Sequence, residues 1–353
     1  SDVCSSDLKT EFTNARTFGM KRANDPSSFT FEGLCCAVHS PMKDDLTLNL
    51  DVVEPTAQHL VKNHVNGVFV CGTTGESMLL SVAERKQLAE KWIEVGHKYG
   101  LCVIIHIGHE VLAVAQDLMR HAAKSGADAV AMVPPRFFPP RSLDLLVQWV
   151  ADVASAAPEL PLFYYHLDVI NYTPYPINRF LELASERVPN LCGMKYTDYN
   201  SFVMGLCLDA CDGKFTVLMG REDAMAAALA TGCCGFVGST FSIMGKVYDR
   251  LMNAYAANDK KTVAVEMQRA RAFSRIAYQS GNRYGEGVDS ITIIKSVWEF
   301  LGIDNGPCRL LGRRVEPAKL ELLKKDLEAI GFFEWIQWCV CCKREIGRAS
   351  CRE

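Results

Sequence analysis

What most limits the possible folds of this chain is a recurrence. Short apolar or β-branched runs return about every 30 residues, the length of a βα unit, at 34–39, 67–71, 102–107, 128–133, 161–165, 191–195, 215–219 and 234–238. The apolar residues are consecutive rather than alternating, as in strands covered on both faces. Amphipathic stretches with readable helix starts separate the runs. Ser81-Val82-Ala83-Glu84 reads as a capping box opening a helix towards Gly96. Ser142 and Asp144 open another helix, and Pro176 begins a third at the position where proline is tolerated. Eight such units in succession predict an α/β chain folded as a (β/α)8 TIM barrel rather than an open sheet. Beyond the eighth run the pattern is helical only, at 247–257, 260–281, 288–301 and 316–330, with Gly302 and Gly306-Pro307 as punctuation. The expected organisation is therefore a tail over 1–30, a barrel over 31–246, a C-terminal helical extension over 247–336 and a second tail over 337–353.

Composition excludes several functions. The chain has 353 residues, 49% of them hydrophobic, enough for a large core. Its net charge of −3 and the absence of a sustained Lys/Arg block argue against nucleic acid as a partner. No apolar stretch approaches the ~18 residues of a membrane span, and no signal-peptide pattern opens the chain. No Gly-rich dinucleotide fingerprint or phosphate loop follows the first run. The fifteen cysteines are scattered, with Cys35-Cys36 and Cys233-Cys234 inside apolar runs, and their spacing forms no zinc frame. No metal site is expected, and the free thiols point to a reducing, cytoplasmic setting. Residues 1–8 and 345–353 do not share the pattern of the body and back-translate into sequencing-adapter DNA. They are read as assembly artefacts and set aside, and Cys339, Cys341 and Cys342 are not taken as a site.

Chemistry is expected at the C-terminal ends of the barrel strands, and the unusual strings fall there. Lys195 ends the apolar run Leu191-Cys192-Gly193-Met194, where an ammonium must be paired, deprotonated or at an open end. A strand-end lysine can simply reach solvent. The small apolar residues before this one instead favour a side chain in the barrel mouth, where a neutral amine can attack a carbonyl. Gly72-Thr73-Thr74-Gly75-Glu76 follows the second run. By itself it reads equally as a capped turn or as a cradle of amides and hydroxyls for a carboxylate. Tyr164-Tyr165-His166 ends the fifth run. Alternation lets only one of the tyrosines face the axis, and a phenol near the lysine can carry protons. His166 is expected to be structural. Glu222 and Asp223, after Gly220, can cap the following helix and also bind substrate hydroxyls. Ser239 follows the eighth run. A lysine and a carboxylate cradle on one rim point to Schiff-base chemistry on a 2-oxo acid.

Taken together, GTTGE, YYH, GMKYTD and GST, in that order, resemble the dihydrodipicolinate synthase/N-acetylneuraminate lyase family of class I pyruvate aldolases over about 31–336. The resemblance implies that Lys195 is the Schiff-base lysine, Tyr165 the proton-transferring tyrosine, and Thr73 and Thr74 the holders of the pyruvate carboxylate. Thr197, Gly220, Glu222, Asp223 and Ser239 would face the sugar. It further implies cleavage of N-acetylneuraminate, a sialic acid, to N-acetylmannosamine and pyruvate, with no cofactor, in a homotetramer. The pyruvate half fits an aldolase for another 2-oxo-3-deoxy acid or 4-hydroxy-2-oxoglutarate equally well, and the rival from another class is a non-catalytic small-acid-binding barrel, against which Lys195, Tyr165 and Thr74 stand. Three features depart from the family pattern. The order Glu222-Asp223 is the reverse of the usual Asp-Glu, the 168–172 loop reads DVINY without the usual proline, and Phe137 stands where some members have a phenol. The loop 167–173 also lacks the arginine that dihydrodipicolinate synthases use for a second carboxylate.

Overall fold

The computed structural model describes residues 19–167, 175–309 and 314–336. The two adapter-like ends, Cys339, Cys341, Cys342 and the 168–172 loop lie outside the described residues. Nine strands follow in sequence order: β1 (Gly19–Lys21), β2 (Thr30–Ala37), β3 (Gly67–Val70), β4 (Cys102–His106), β5 (Ala129–Met132), β6 (Leu162–Leu167), β7 (Leu191–Thr197), β8 (Thr216–Met219) and β9 (Gly235–Gly238). From β2 to β9 every neighbouring pair is parallel, and β2 pairs back to β9, so the sheet closes as an eight-stranded TIM barrel. β1, within the segment read as a tail, adds an antiparallel pairing to β2.

Side-chain alternation divides the core into two shells. Phe69, Ile104, Ala129, Ala131, Phe163 and Tyr165 fill the barrel interior. Their neighbours Val68, Val70, Val103, Ile105, Val130, Met132, Leu162 and Tyr164 pack outward under the helices. Phe29 meets Phe163 edge-on with centroids 6.0 Å apart. The covering helices include α1 (Val53–Lys62), α2 (Val82–Lys98), α3 (Leu112–Ser125), α4 (Leu143–Ala154), α5 (Ile177–Arg187), α6 (Ser201–Gly213) and α7 (Met225–Thr231). The Ser81 capping box forms in both directions, with Glu84 bonding the Ser81 amide and Ser81 Oγ accepting from the Glu84 amide. Ser142 caps α4 as its pattern predicts. Pro176 is the N-cap of α5 rather than its first residue, one position earlier than expected.

The helix predicted over 247–257 begins earlier: α8 spans Phe241–Ala256, directly after β9. The residues that hid this start are Met244, whose backbone kinks the helix, and Gly245, whose missing Cβ lets α8 lie against the Asn63 carbonyl. α9 (Lys260–Tyr278), α10 (Ser290–Phe300), α11 (Pro317–Ala329) and the single turn α12 (Phe332–Trp335) follow. Packing of α9 against α8 brings the end of α9 to the C-terminal rim of the barrel. Among the described residues no helix is long and apolar enough to cross a membrane.

Candidate active site

Lys195 faces the barrel interior because β7 carries a β-bulge. Leu162 pairs with Leu191 but Phe163 pairs with Gly193, so Cys192 is an extra residue in the ladder. Leu191 packs outward and Cys192 inward. Unbroken alternation from there would put Met194 inside and Lys195 outside. The extra residue shifts the phase, so Met194 packs under the helices and Lys195 turns inward, only 5% exposed. Gly193 permits the close approach, since a Cβ there would run into the Thr216 backbone.

The lysine rests on aromatic rings. Its Nζ is 4.0 Å from the Tyr165 ring centroid and 4.5 Å from that of Phe69. Tyr165 itself is 3% exposed and packs edge-on against Phe69 and His106. Burial raises the Tyr165 pKa, but the Lys195 charge and hydrogen bonding with Thr73 outweigh it, and the phenol ends below its ordinary value. The two hydroxyls of Thr73 and Tyr165 are 3.4 Å apart. Tyr164, by contrast, packs outward on Phe180 with centroids 4.3 Å apart, and His166 stacks on Tyr196.

The Gly72–Glu76 turn is tightened by the Glu76 amide bonding Thr73 O and by Ser40 Oγ bonding Gly75 O. Cys71, just before it, and Glu76, its last residue, adopt positive φ of 57° and 51°, a conformation uncommon outside glycine and concentrated at functional loops. The amides of Thr73 and Thr74 have no backbone acceptor among the described residues, which leaves N–H donors beside their hydroxyls.

These elements enclose a cavity of about 210 Å³ lined by Thr74, Tyr165, Lys195, Gly220, Glu222, Asp223 and Ser239. Thr73 lines a second space of about 180 Å³ that shares Tyr165 with the first. Thr197 lines neither space: it is buried against Gly220, and its hydroxyl is among the groups that lower the Tyr165 pKa. Glycine at 220 is a steric requirement, because a Cβ would strike Thr197 Oγ1 and come within 3.1 Å of Lys195 Cε. The carboxylate of Glu222 is not spent on capping. It accepts from the Thr240 amide at 3.1 Å, Ser239 Oγ at 3.3 Å and Tyr278 OH at 3.5 Å. Asp223 accepts from Tyr199 OH at 2.8 Å. Among the described residues no cluster of His, Cys, Asp and Glu could hold a metal ion.

Comparison with known proteins matches the same span. The Dihydrodipicolinate synthetase family profile matches residues 30–330. The chain belongs to this family. Within it, the chain is 38% identical over 280 residues to the N-acetylneuraminate lyase of Xenopus tropicalis, covering 79% of this chain and 90% of that one. It is 35% identical to the human N-acetylneuraminate lyase, covering 86% and 94%. The structure of Proteus mirabilis N-acetylneuraminate lyase superposes with a TM-score of 0.80 at 31% identity, covering 86% of this chain and 99% of that one. Membership places the chain among the class I pyruvate-dependent aldolases, as an oxo-acid lyase.

Part of the wall of this family member was not predicted from sequence. Ser274, Tyr278 and Gln279 come from the end of α9 and the residue after it. In the sequence they are ordinary residues on a helical pattern. Phe69 sits mid-strand and is indistinguishable from a core residue. Arg221 and Tyr199 lie beside predicted residues but carry no spacing signal of their own.

Proposed function

We propose that the chain is an N-acetylneuraminate lyase acting in sialic acid catabolism. Lys195 Nζ and the Tyr165 ring lie 4.0 Å apart at the floor of a cavity whose upper wall carries two carboxylates, and this juxtaposition carries the assignment. Its relatives' names support the sugar, and the geometry supports the chemistry.

The neutral Lys195 amine attacks C2 of the open-chain 2-oxo acid, and loss of water leaves a protonated imine. The Thr73 and Thr74 hydroxyls and amides hold the substrate carboxylate beside it. Tyr165, its phenol made more acidic by Lys195, acts as the phenolate and takes the proton of the C4 hydroxyl. The C3–C4 bond then breaks, its electron pair passes into the imine to give an enamine, and N-acetylmannosamine leaves as the aldehyde. Protonation at C3 and hydrolysis by water release pyruvate and restore Lys195. The imine itself is the electron sink, so no metal or organic cofactor has a step to perform.

Gly220, Glu222, Asp223 and Ser239 face the sugar half, with Thr197 buried against Gly220. The hydroxyls of Ser239 and Tyr278 hold Glu222 back towards β9, and Asp223 stands at the rim with Tyr199. This arrangement lets the reversed Glu-Asp order still present one carboxylate at each depth. The barrel over 31–246 carries the chemistry and the helices over 247–336 close the cavity. The exposed pair Phe137 and Phe138, with centroids 4.8 Å apart, suits burial in a homotetramer. The enzyme is assigned to the cytoplasm.

The test is pyruvate release, followed by coupled reduction to lactate, with N-acetylneuraminate against 4-hydroxy-2-oxoglutarate and unbranched 2-oxo-3-deoxy sugar acids. Preferred cleavage of N-acetylneuraminate is expected. Preference for one of the others would reject the sialic acid assignment and retain the aldolase.

A further inference from the structure

The cavity holds a guanidinium that the aldol chemistry does not use. Arg221 lines it at the C-terminal end of β8, with its guanidinium carbon 4.6 Å from the Tyr199 ring centroid. Tyr199 is anchored in turn by its hydroxyl bond to Asp223. The stack therefore fixes the direction of the arginine fork. Its Nε–H is buried and has no acceptor among the described residues. No hydrogen bond or ion pair engages the rest of the guanidinium among the described residues, and an unmatched donor group in a cavity wall is matched when a ligand brings the acceptor. The carboxylates beside it are already engaged, Glu222 by the Thr240 amide, Ser239 and Tyr278, and Asp223 by Tyr199.

The local charge selects among acceptors. Arg221 contributes one positive charge here and Glu222 with Asp223 two negative ones. A second anionic group on the substrate would meet one cation and two carboxylates. A neutral carbonyl oxygen takes a guanidinium N–H without that repulsion, while hydroxyls on the same ligand donate to the carboxylates.

Resting on the lyase assignment, we propose that Arg221 donates a guanidinium N–H to the carbonyl oxygen of an N-acyl group on the sugar half of the substrate. Arg221 is then the specificity-determining residue that separates N-acylated from unacylated 2-oxo-3-deoxy sugar acids.

The experiment compares wild type, Arg221→Met and Arg221→Lys on N-acetylneuraminate and on its analogue with a hydroxyl in place of the acetamido group. Pyruvate trapping by borohydride is followed in parallel. Arg221→Met is expected to lose about 10–100-fold in kcat/KM for N-acetylneuraminate, mainly through KM, the range for one hydrogen bond from a charged donor. The same variant should change the hydroxyl analogue by less than about threefold and trap pyruvate as wild type does. Arg221→Lys, lacking the planar fork, should recover little of the loss. Parallel losses on both sugars, or no loss on either, would overturn the Arg221 assignment while leaving the lyase intact. A wild-type enzyme that traps pyruvate but cleaves neither sugar would overturn the lyase reading and the acyl assignment with it. A wild-type preference for a 2-oxo-3-deoxy diacid, lost in Arg221→Met, would transfer the guanidinium to a carboxylate and overturn the acyl assignment.

Discussion

Gly220→Ala tests how closely the lysine is placed. The added methyl would sit 3.1 Å from Lys195 Cε and 3.0 Å from Thr197 Cβ, and would overlap Thr197 Oγ1. Thr197 must rotate away, and the Lys195 stem must give by a few tenths of an ångström. Overpacking of this kind costs about 1–3 kcal/mol of stability, which a domain with roughly 5–15 kcal/mol survives. The effect on chemistry should be larger in proportion. Displacing a reacting group by about 1 Å costs about 100-fold in rate, and the shift here is smaller, so imine formation should slow about 10–50-fold. That is about 1.4–2.3 kcal/mol on the barrel-mouth step. The assay is the rate of borohydride-trapped pyruvyl adduct by intact mass, alongside a thermal melt. An alanine variant that melts a few degrees lower but traps pyruvate at the wild-type rate would refute the placement of Gly220 against the lysine.

Four further outcomes follow from the structure. Tyr165→Phe should lower sugar cleavage by about 10²–10⁴-fold while the pyruvyl adduct still forms, and loss of both together would deny Tyr165 its separate role. In the wild type, kcat should rise with pH through a phenol pKa lowered by Lys195, so the midpoint of the rise should come below the pH at which free tyrosine ionises. Glu84 is held down to about 2 by Arg309 first, and by Ser81, against burial. Because the folded value is depressed, its stabilisation is full above the ordinary glutamate range and fades as pH falls from about 4.5 to about 2. It is worth about 1–3 kcal/mol for this partly exposed pair, and denaturant melts of Arg309→Met should lack that acid limb; an identical limb would refute it. Burial pushes Cys71 and Cys308 up to about 11, and Cys207 and Cys233 up to about 12. Among the described cysteines, maleimide at pH 8 should therefore label the half-buried Cys211 and Cys234, and native labelling of Cys71 or Cys233 would count against the packing.

Strands buried on both faces announce themselves as continuous apolar runs, so the order and number of the barrel strands were legible from 34–39 to 234–238. Helix starts were legible where a side chain bonds the backbone, as Ser81 with Glu84 and Ser142 with Leu145 do. The three-residue β1 carries too little pattern to detect, and α8 was hidden by its kink at Met244. Lys195 stood out because a charge ended an apolar run, yet its inward direction depends on the extra residue at Cys192. A bulge has no hydrophobic period of its own, and only Gly193 hints at the close approach. The far wall of the cavity was not legible. Tyr278 reaches Glu222 from a helix 56 residues later in the chain, a contact that the packing of α9 creates and that no local pattern encodes.

The measurement that bears most directly on the central claim is peptide mapping of the protein after borohydride reduction in the presence of pyruvate. The expected result is a single reduced pyruvyl adduct, located on Lys195, and absent in Lys195→Met. Adduct formation on another lysine, such as the buried Lys295 whose ammonium is held by the Ser40 and Pro307 carbonyls, or no adduct at all, would contradict a Schiff-base enzyme centred on Lys195.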